Sequence, residues 1–351
     1  HWHGIELDND SDGTAVTQDT IFNGQTYVYR FVAPRSGLFW YHSHMIPGTT
    51  TFGGMYGPII LRDPVEASLV ASNVLPSAAY TFPLMLSDIS FTNGTVDKVY
   101  NRTNFSLNTL IHFCENSILG LPDADGGACG EAGRPGGVVL VNGVVPKLNY
   151  VVFSCLPSTN SAPIFYIGKN QRIRLQLFNA SISRDFHLTL HYPCFNFTSD
   201  TNLYQIGGQG GLLDNAILNG GIQSGYDFLY PKGGIVIGTG MRTDVMFYSS
   251  GNAGDIIRLE GDPMQAPWKL SRYSDGLIPT NYPVAFFVIT NGGATNLPLV
   301  AGSPILAGTG TSVENLELLN TNALSFPPLP TLGTRSAAIL FDNNIPTNGV
   351  L

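Results

Sequence analysis

Hydrophobic residues along this chain occur mostly in short runs of β-branched and aromatic residues, separated by stretches rich in Gly, Asn and Pro. Such runs predict strands joined by turns. Because no amphipathic helices separate them, the pattern favours a β-sandwich or barrel over βαβ units. A short helix is predicted at 65–73. The predicted strands are 26–32, 38–44, 57–62, 82–89, 137–141, 148–153, 171–178, 187–191, 235–237, 243–248 and 284–290.

Shifts in composition divide the chain into units. We expect a first unit at 1–64 and a linker at 65–79, followed by a second unit at 80–290. Residues 291–334 are aperiodic and rich in Gly, Pro, Asn and Leu, which is typical of an interdomain connection. A further unit is expected to start at 335–351. Since the chain opens inside a histidine motif and stops without a terminal element, we expect it to be a fragment.

The composition limits the class of protein. A net charge of -8 argues against a nucleic-acid partner, which requires a basic surface. No stretch approaches the roughly 18 apolar residues of a membrane span. Four cysteines could form two disulfides, with three possible connectivities. Together with several sequons for N-glycosylation, the cysteines favour an extracellular, disulfide-bonded glycoprotein. The Asn-x-Ser/Thr sequons begin at Asn9, Asn93, Asn101, Asn104, Asn179 and Asn196.

Two His-x-His pairs, His1 with His3 and His42 with His44, are the strongest chemical signal. Residues two apart in a strand point to the same face, so each pair presents two imidazoles side by side. Imidazole suits copper, zinc and iron, and the spacing alone leaves the metal open among them. Zinc hydrolases of the amidohydrolase type need a (β/α)₈ barrel, whose helices this pattern lacks. Cupin-type iron sites usually add a carboxylate, which neither pair has at suitable spacing.

The two pairs carry a resemblance to a known family. His1-Trp2-His3-Gly4, followed by Asp12-Gly13 and Gln18, resembles the first copper motif of the multicopper oxidases. Residues 37–44, Gly-Leu-Phe-Trp-Tyr-His-Ser-His, with 53–58 after them, resemble the second motif, and the match is closest to laccases. Weaker similarity to the middle domain of that family continues at 82–88, 140–143, 172–175, 206–213 and 240–245.

The resemblance implies a fold and a set of ligands. It implies an all-β chain of tandem cupredoxin-like (plastocyanin-like) Greek-key β-sandwich domains, here incomplete. By position, His1 would bind the type 2 copper, His3 and His42 one type 3 copper, and His44 the other. Asp12 matches an acid that supplies protons near this trinuclear centre, although an Asp-Gly pair is also a common turn. The family's later His-Pro-x-His-x-His and His-Cys-His motifs do not occur in the sequence. The type 1 copper site is therefore expected in a missing C-terminal part, and the fragment alone is expected to be inactive.

The activity implied by the resemblance is that of a copper-dependent oxidoreductase of the laccase type. Such an enzyme oxidises phenolic or aromatic amine substrates in one-electron steps and reduces O₂ to water. Within the family, the alternatives are a bilirubin-oxidase-like enzyme or a metal-ion oxidase. Outside it, the alternative is a non-catalytic copper-binding cupredoxin protein. His187, His191 and Cys194 occur in the wrong order for a blue-copper site, so we expect them to be structural.

Overall fold

In the part of the chain that the computed structural model describes, nearly all regular elements are β-strands, as predicted. The predicted strand at 148–153, the expected unit at 335–351, His112 and all four cysteines lie outside the residues that it describes. Those residues are 1–45, 50–51, 53–89, 91–92, 95–96, 138–144, 162–181, 184–192, 202–219, 234–262, 282–293 and 296–306.

Three antiparallel strands form the N-terminal sheet. They are β1 (Trp2–His3), β2 (Gly37–His42) and β3 (Tyr56–Leu61), with β2 in the centre. In this register His3 lies opposite Trp40. The first four residues of β2 are buried. The sheet therefore carries His3 and His42 on adjacent strands, with His1 directly before β1 and His44 two residues after β2.

The strand predicted at 26–32 is wrong. These residues belong to no strand, and Val28 and Val32 are largely exposed. The local sequence has the β-branched and aromatic composition of a strand, but a strand also needs a neighbour that accepts and donates backbone hydrogen bonds. No such neighbour lies beside this segment among the described residues.

A short helix, α1 (Glu66–Ala71), follows the N-terminal sheet within the predicted 65–73. It buries Leu69 and is followed by Asn73, which has a left-handed φ of 59°. Leu69 belongs to the same buried hydrophobic cluster as Leu299 and Leu306, so residues 296–306 lie near α1. Among the described residues, no helix is both long and apolar enough to cross a membrane.

Two further sheets, whose strands lie within residues 81–290 and which are together called the second unit below, enclose the main hydrophobic core between their facing sides. Leu84, Leu175 and Phe247 from one sheet pack with Phe186 and Phe287 from the other, which makes a sandwich. The six-stranded sheet has the order β12 (Gly211–Leu218), β11 (Tyr204–Gly208), β14 (Arg242–Tyr248), β9 (Arg172–Asn179), β4 (Thr81–Ile89) and β7 (Val138–Val141). The five-stranded sheet has the order β13 (Ile235–Ile237), β10 (Phe186–His191), β15 (Ile256–Asp262), β16 (Tyr282–Thr290) and β8 (Ile164–Gly168). A separate hairpin consists of β5 (Phe91–Thr92) and β6 (Thr95–Val96).

The sequence pattern missed β8, β11, β12 and β15. Glycines at the junction of β11 and β12 lower the β-propensity of both strands. In β15, Arg258 and Glu260 are buried together as an ion pair, so this strand does not read as apolar.

The N-terminal sheet packs on the six-stranded sheet through one face of β2. Leu38 and Trp40, which alternate along that face, contact Met85, Phe178 and Ala180. His42 is the next residue in this alternation, so the histidine pairs lie where the two units meet.

Candidate metal centre

Backbone pairing of β1 with β2 brings the histidines together. The backbone nitrogen of His42 donates to the carbonyl of His1 at 3.0 Å, and that of His1 donates to the carbonyl of His42 at 2.9 Å. Two directly opposed residues of an antiparallel pair project to the same side. One ring nitrogen from each of His1, His3 and His42 lies within 4.8 Å of the other two.

His44 lies beside this group. Its ring centroid is 5.3 Å from that of His1 and 6.0 Å from that of His42, and it stacks on the His42 ring. The structure therefore brings all four sequence-predicted histidines to one place. These four side chains are called the histidine cluster below.

The spacing of two ring nitrogens fits a shared metal ion. His3 Nδ1 lies 3.3 Å from His42 Nε2. Two imidazole nitrogens bound tetrahedrally at about 2.0–2.1 Å, the range of zinc sites, lie about 3.3–3.4 Å apart. A donor set made of imidazoles is also one that copper accepts. The residues present thus fit a copper ion in both chemistry and spacing.

Backbone carbonyls orient two of the rings. Nδ1 of His1 lies 3.0 Å from the carbonyl oxygen of Asp12, and Nδ1 of His42 lies 3.0 Å from that of Ser43. A neutral imidazole that donates through Nδ1 presents the lone pair of Nε2 to a metal. These carbonyls are contacts that the sequence could not name, because every residue has one.

Burial keeps two of the imidazoles neutral. Desolvation, reinforced by the nearby guanidinium of Arg242, lowers the pKa of His3 to about 4. Desolvation also lowers the pKa of His42, although its hydrogen bond to Ser43 opposes the change. Only the neutral ring offers a lone pair, so both residues are ready to ligate at neutral pH.

Asp12 lies next to the cluster. It follows a single 3₁₀ turn, Asn9–Ser11, and places its Oδ1 3.3 Å from His1 Nδ1. Its carboxylate is partly exposed, so it contacts both solvent and the histidine cluster. The residue expected to handle protons thus contacts the expected type 2 ligand through both its backbone and its side chain.

The aromatic residues between the histidines lie on both faces of the sheet. Trp40 stacks on His3 at 5.0 Å and on His42 at 4.3 Å between ring centroids. Trp2 points to the opposite face and packs against Tyr29. Tyr41 is 44% exposed, so it is not a core residue. Trp40 therefore limits how far the His3 and His42 rings can turn.

Two second-unit residues that the sequence did not suggest also reach the cluster. The guanidinium of Arg242 donates to a β2 carbonyl, and a side chain on Gly240 would touch the His3 ring. Both residues are about 200 positions from His42 in the sequence, and no local pattern links them to the histidines.

His187 and His191 lie elsewhere, on β10, and both are buried. Thr189 Oγ1 and His191 Nε2 are 2.9 Å apart, and Glu260 lies 3.9 Å from the same nitrogen. Both side chains are buried within the five-stranded sheet, and their structural role stays a prediction.

Comparison with known proteins gives a consistent result. Residues 1–66 match the family model described as multicopper oxidase. The multicopper oxidase MmcO of Mycobacterium tuberculosis is 27% identical over 195 residues, which is 54% of this chain and 34% of that protein. Laccase-5 of Trametes versicolor is 42% identical over 72 residues, which is 19% of this chain and 13% of that protein.

Solved structures share the fold. The multicopper oxidase McoA of Aquifex aeolicus superposes with a TM-score of 0.55 at 21% identity, over 88% of this chain and 54% of that one. A Campylobacter jejuni multicopper oxidase, described as a metallo-oxidase, gives 0.53 at 19% identity, over 88% and 49%. The predicted all-β, cupredoxin-like fold is thereby confirmed. The chain spans about a third of MmcO and about half of the two solved structures.

Proposed function

We propose that the chain is part of a laccase-like oxidase of the multicopper oxidase family and that it supplies His1, His3, His42 and His44 to a trinuclear copper site. The match of residues 1–66 to the multicopper oxidase model and the similarity to MmcO support this proposal. The observation that carries the proposal is the convergence of ring nitrogens from His1, His3 and His42 within 4.8 Å. Structural histidines rarely converge in this way, because nothing in ordinary packing requires several neutral imidazoles to face one another.

Each histidine has a proposed place. His1, held by the Asp12 carbonyl, would bind the type 2 copper. His3 and His42 would bind one type 3 copper, which their 3.3 Å nitrogen separation supports. His44, stacked on His42, would bind the other. The remaining ligands and the type 1 site would come from a third domain, beyond the proposed first unit (1–64) and second unit (80–290).

The proposed reaction couples two half-reactions. Copper held by the histidine cluster would supply one-electron redox chemistry between the substrate and O₂. Four phenol or aromatic amine molecules each lose one electron, and O₂ takes up four electrons and four protons to give two waters. Asp12, partly exposed and 3.3 Å from His1, is placed to carry protons from solvent toward the cluster. An extracellular location is part of the same proposal.

A second candidate within the family is a metal-ion oxidase, since one solved structure of similar fold is described as a metallo-oxidase. The two candidates differ in the reductant, not in the histidine cluster. Oxygen uptake by the full-length protein with a phenol, compared with Fe²⁺ or Cu⁺, distinguishes them. Uptake supported by the metal ions alone would replace the laccase-like proposal.

The ligand roles are tested in the full-length protein with His3→Ala and His42→Ala. Both changes should abolish O₂ uptake and lower the copper content, while the blue absorption of the type 1 site stays near normal. His187→Gln, which alters a buried histidine outside the cluster, is the matched control and should retain its copper. Persistence of O₂ uptake in either cluster variant would show that these histidines are not ligands.

The role of Asp12 is tested with Asp12→Asn, which keeps the side-chain size and removes the titrating group. Reoxidation of the reduced enzyme by O₂ should slow much more than oxidation of the substrate, because only the O₂ half-reaction consumes protons. Asp10→Asn, on the neighbouring exposed turn, is the control. Equal slowing of both half-reactions would contradict the proton role.

A further inference from the structure

Arg242 reaches from the second unit into the N-terminal sheet. It is the first residue of β14, and its side chain is only 5% exposed. Its Nε donates to the carbonyl of Leu38 on β2 at 2.8 Å, and its Nη1 donates to the carbonyl of Gly240 at 2.8 Å. One planar guanidinium thus links the strand that carries His42 to the loop that precedes β14.

The same guanidinium occupies the space beside Gly4. Gly4 follows His3 and has a left-handed φ of 90°. A Cβ at this position would collide with Nη2 of Arg242 and lie 3.3 Å from its Cζ. The glycine that ends the His-Trp-His-Gly motif therefore leaves room for an arginine some 240 residues later in the chain.

The loop that Arg242 holds also contacts His3 directly. A Cβ on Gly240 would lie 3.3 Å from Cε1 of the His3 ring and 3.9 Å from Trp40. Gly240 itself has a left-handed φ of 75°, and its backbone nitrogen donates to the Asn179 carbonyl. The His3 ring is thus confined between stacked Trp40 and the backbone of Gly240.

From these contacts we propose that Arg242 is a positioning residue of the candidate copper site. It packs beside the backbone turn after His3 and hydrogen-bonds both the β2 strand and the Gly240 loop, which fixes the direction of the His3 imidazole toward His42. Arg242 is not a ligand. The inference rests on the proposed function in that the cluster must bind copper for the position of His3 to matter.

Arg35 provides a matched control for Arg242. It also lies against the Phe39 ring, with its Cζ 5.0 Å from the ring centroid, compared with 6.0 Å for Arg242. It also joins the two units, because its guanidinium donates to the carbonyls of Gln209 and Gly4. Arg242, in contrast, also holds the Gly240 loop against His3. A general loss of contact between the units would therefore affect both variants alike.

The first test compares Arg242→Met, Arg242→Lys and Arg35→Met in the full-length protein loaded with Cu²⁺. Copper loss to a competing chelator should be at least about tenfold faster in Arg242→Met than in Arg35→Met, and the electron paramagnetic resonance spectrum of the retained copper should change only in Arg242→Met. Arg242→Lys should be intermediate, since an ammonium restores the charge and one donor but not the planar fork. Equal copper loss and equal spectra in Arg242→Met and Arg35→Met would overturn the proposal.

The second test avoids substitution of Arg242, should Arg242→Met fail to fold. Gly4→Ala introduces the Cβ that collides with Arg242, whereas Gly24→Ala places an alanine at a similar φ of 83° with no atom within 4 Å. Both variants carry the backbone strain, but only Gly4→Ala should lose copper faster. Equal retention in the two variants would contradict the role of Arg242. Retention of copper by His3→Ala would contradict the proposed function itself. Loss of copper from His3→Ala but not from Arg242→Met would contradict only the role of Arg242.

Discussion

Replacement of Arg174 should strongly destabilise the second unit. This arginine lies on β9 with its side chain 3% exposed and binds two carboxylates at once. Its Nε lies 2.9 and 3.0 Å from the two carboxylate oxygens of Asp244, and its Nη1 lies 3.0 Å from Oε2 of Glu66. Burial alone would raise the pKa of Glu66, but hydrogen bonding to Arg174 holds it below the ordinary value. Arg174→Met removes the cation and leaves both carboxylates without it.

The size of the effect follows from the burial of the partners. Asp244 is 2% exposed, and the ion pair of Glu66 with Arg174 joins α1 to the six-stranded sheet. Removing one member of a buried ion pair lowers the free energy of unfolding by about 3–5 kcal/mol. With a urea m-value of about 2–3 kcal/mol/M, the unfolding midpoint should fall by roughly 1–2.5 M. Replacing Glu66, Arg174 and Asp244 together by leucine should recover most of this loss, because no charge is then left buried.

Urea unfolding followed by far-UV circular dichroism measures this difference, and the transition that includes the second unit is the one to compare. Arg62→Met is the control: Arg62 binds the same Glu66, with Nη1 3.1 Å from Oε2, but is 54% exposed. An exposed pair of this kind contributes about 0.2–1 kcal/mol at most. If the two variants unfold at the same urea concentration, the argument from burial is refuted.

Three further outcomes are expected. In the metal-free protein, the His3 ring protons should titrate with a midpoint near pH 4; because the unfolded chain takes up this proton near pH 6.5, the contribution of His3 to stability is present above that pH and is lost as the pH falls toward 4. A midpoint near 6.5 by nuclear magnetic resonance would contradict the burial of this ring. Mass spectrometry of the protein expressed through a eukaryotic secretory pathway should find Asn179 without a glycan, since it is 1% exposed and its amide donates to the carbonyls of Arg184 and Ile237. Phe287→Ala should lower the free energy of unfolding by about 3–5 kcal/mol in a thermal melt, because its fully buried ring packs between both sheets of the second unit; a loss under 1 kcal/mol would contradict that packing.

The histidine cluster could be predicted because its geometry is local. Side chains two residues apart in a strand project to the same side of the sheet, and the two strands β1 and β2 are adjacent. The strand predicted at 26–32 was wrong for the opposite reason, since pairing depends on a neighbour that local composition does not reveal. A buried ion pair caused another missed prediction. Arg258 and Glu260 lie on the core strand β15, and because both residues are charged the local sequence does not resemble that of a buried strand.

The surroundings of the cluster could not be predicted from the sequence. The groups that orient His1 and His42 are the backbone carbonyls of Asp12 and Ser43. Every residue has a backbone carbonyl, so the sequence does not indicate which of them makes such a contact. Gly4 is visible in the sequence as part of a motif. A side chain at this position would collide with Arg242, which approaches from a distant part of the chain and could not be predicted. Long-range contacts of this kind follow from the docking of two units, which no periodicity encodes.

The hydrogen bond from Arg242 to Leu38 spans 204 residues, and this separation has a consequence for biosynthesis. A ribosome that adds about 5–20 residues per second needs roughly 10–40 s to extend the nascent polypeptide across that distance. During this interval the four imidazoles have already been synthesised, but the arginine proposed to position His3 has not. Loading with the correct ion is therefore best left until after translation, and a cell that exposes the emerging chain to abundant zinc would risk mismetallation.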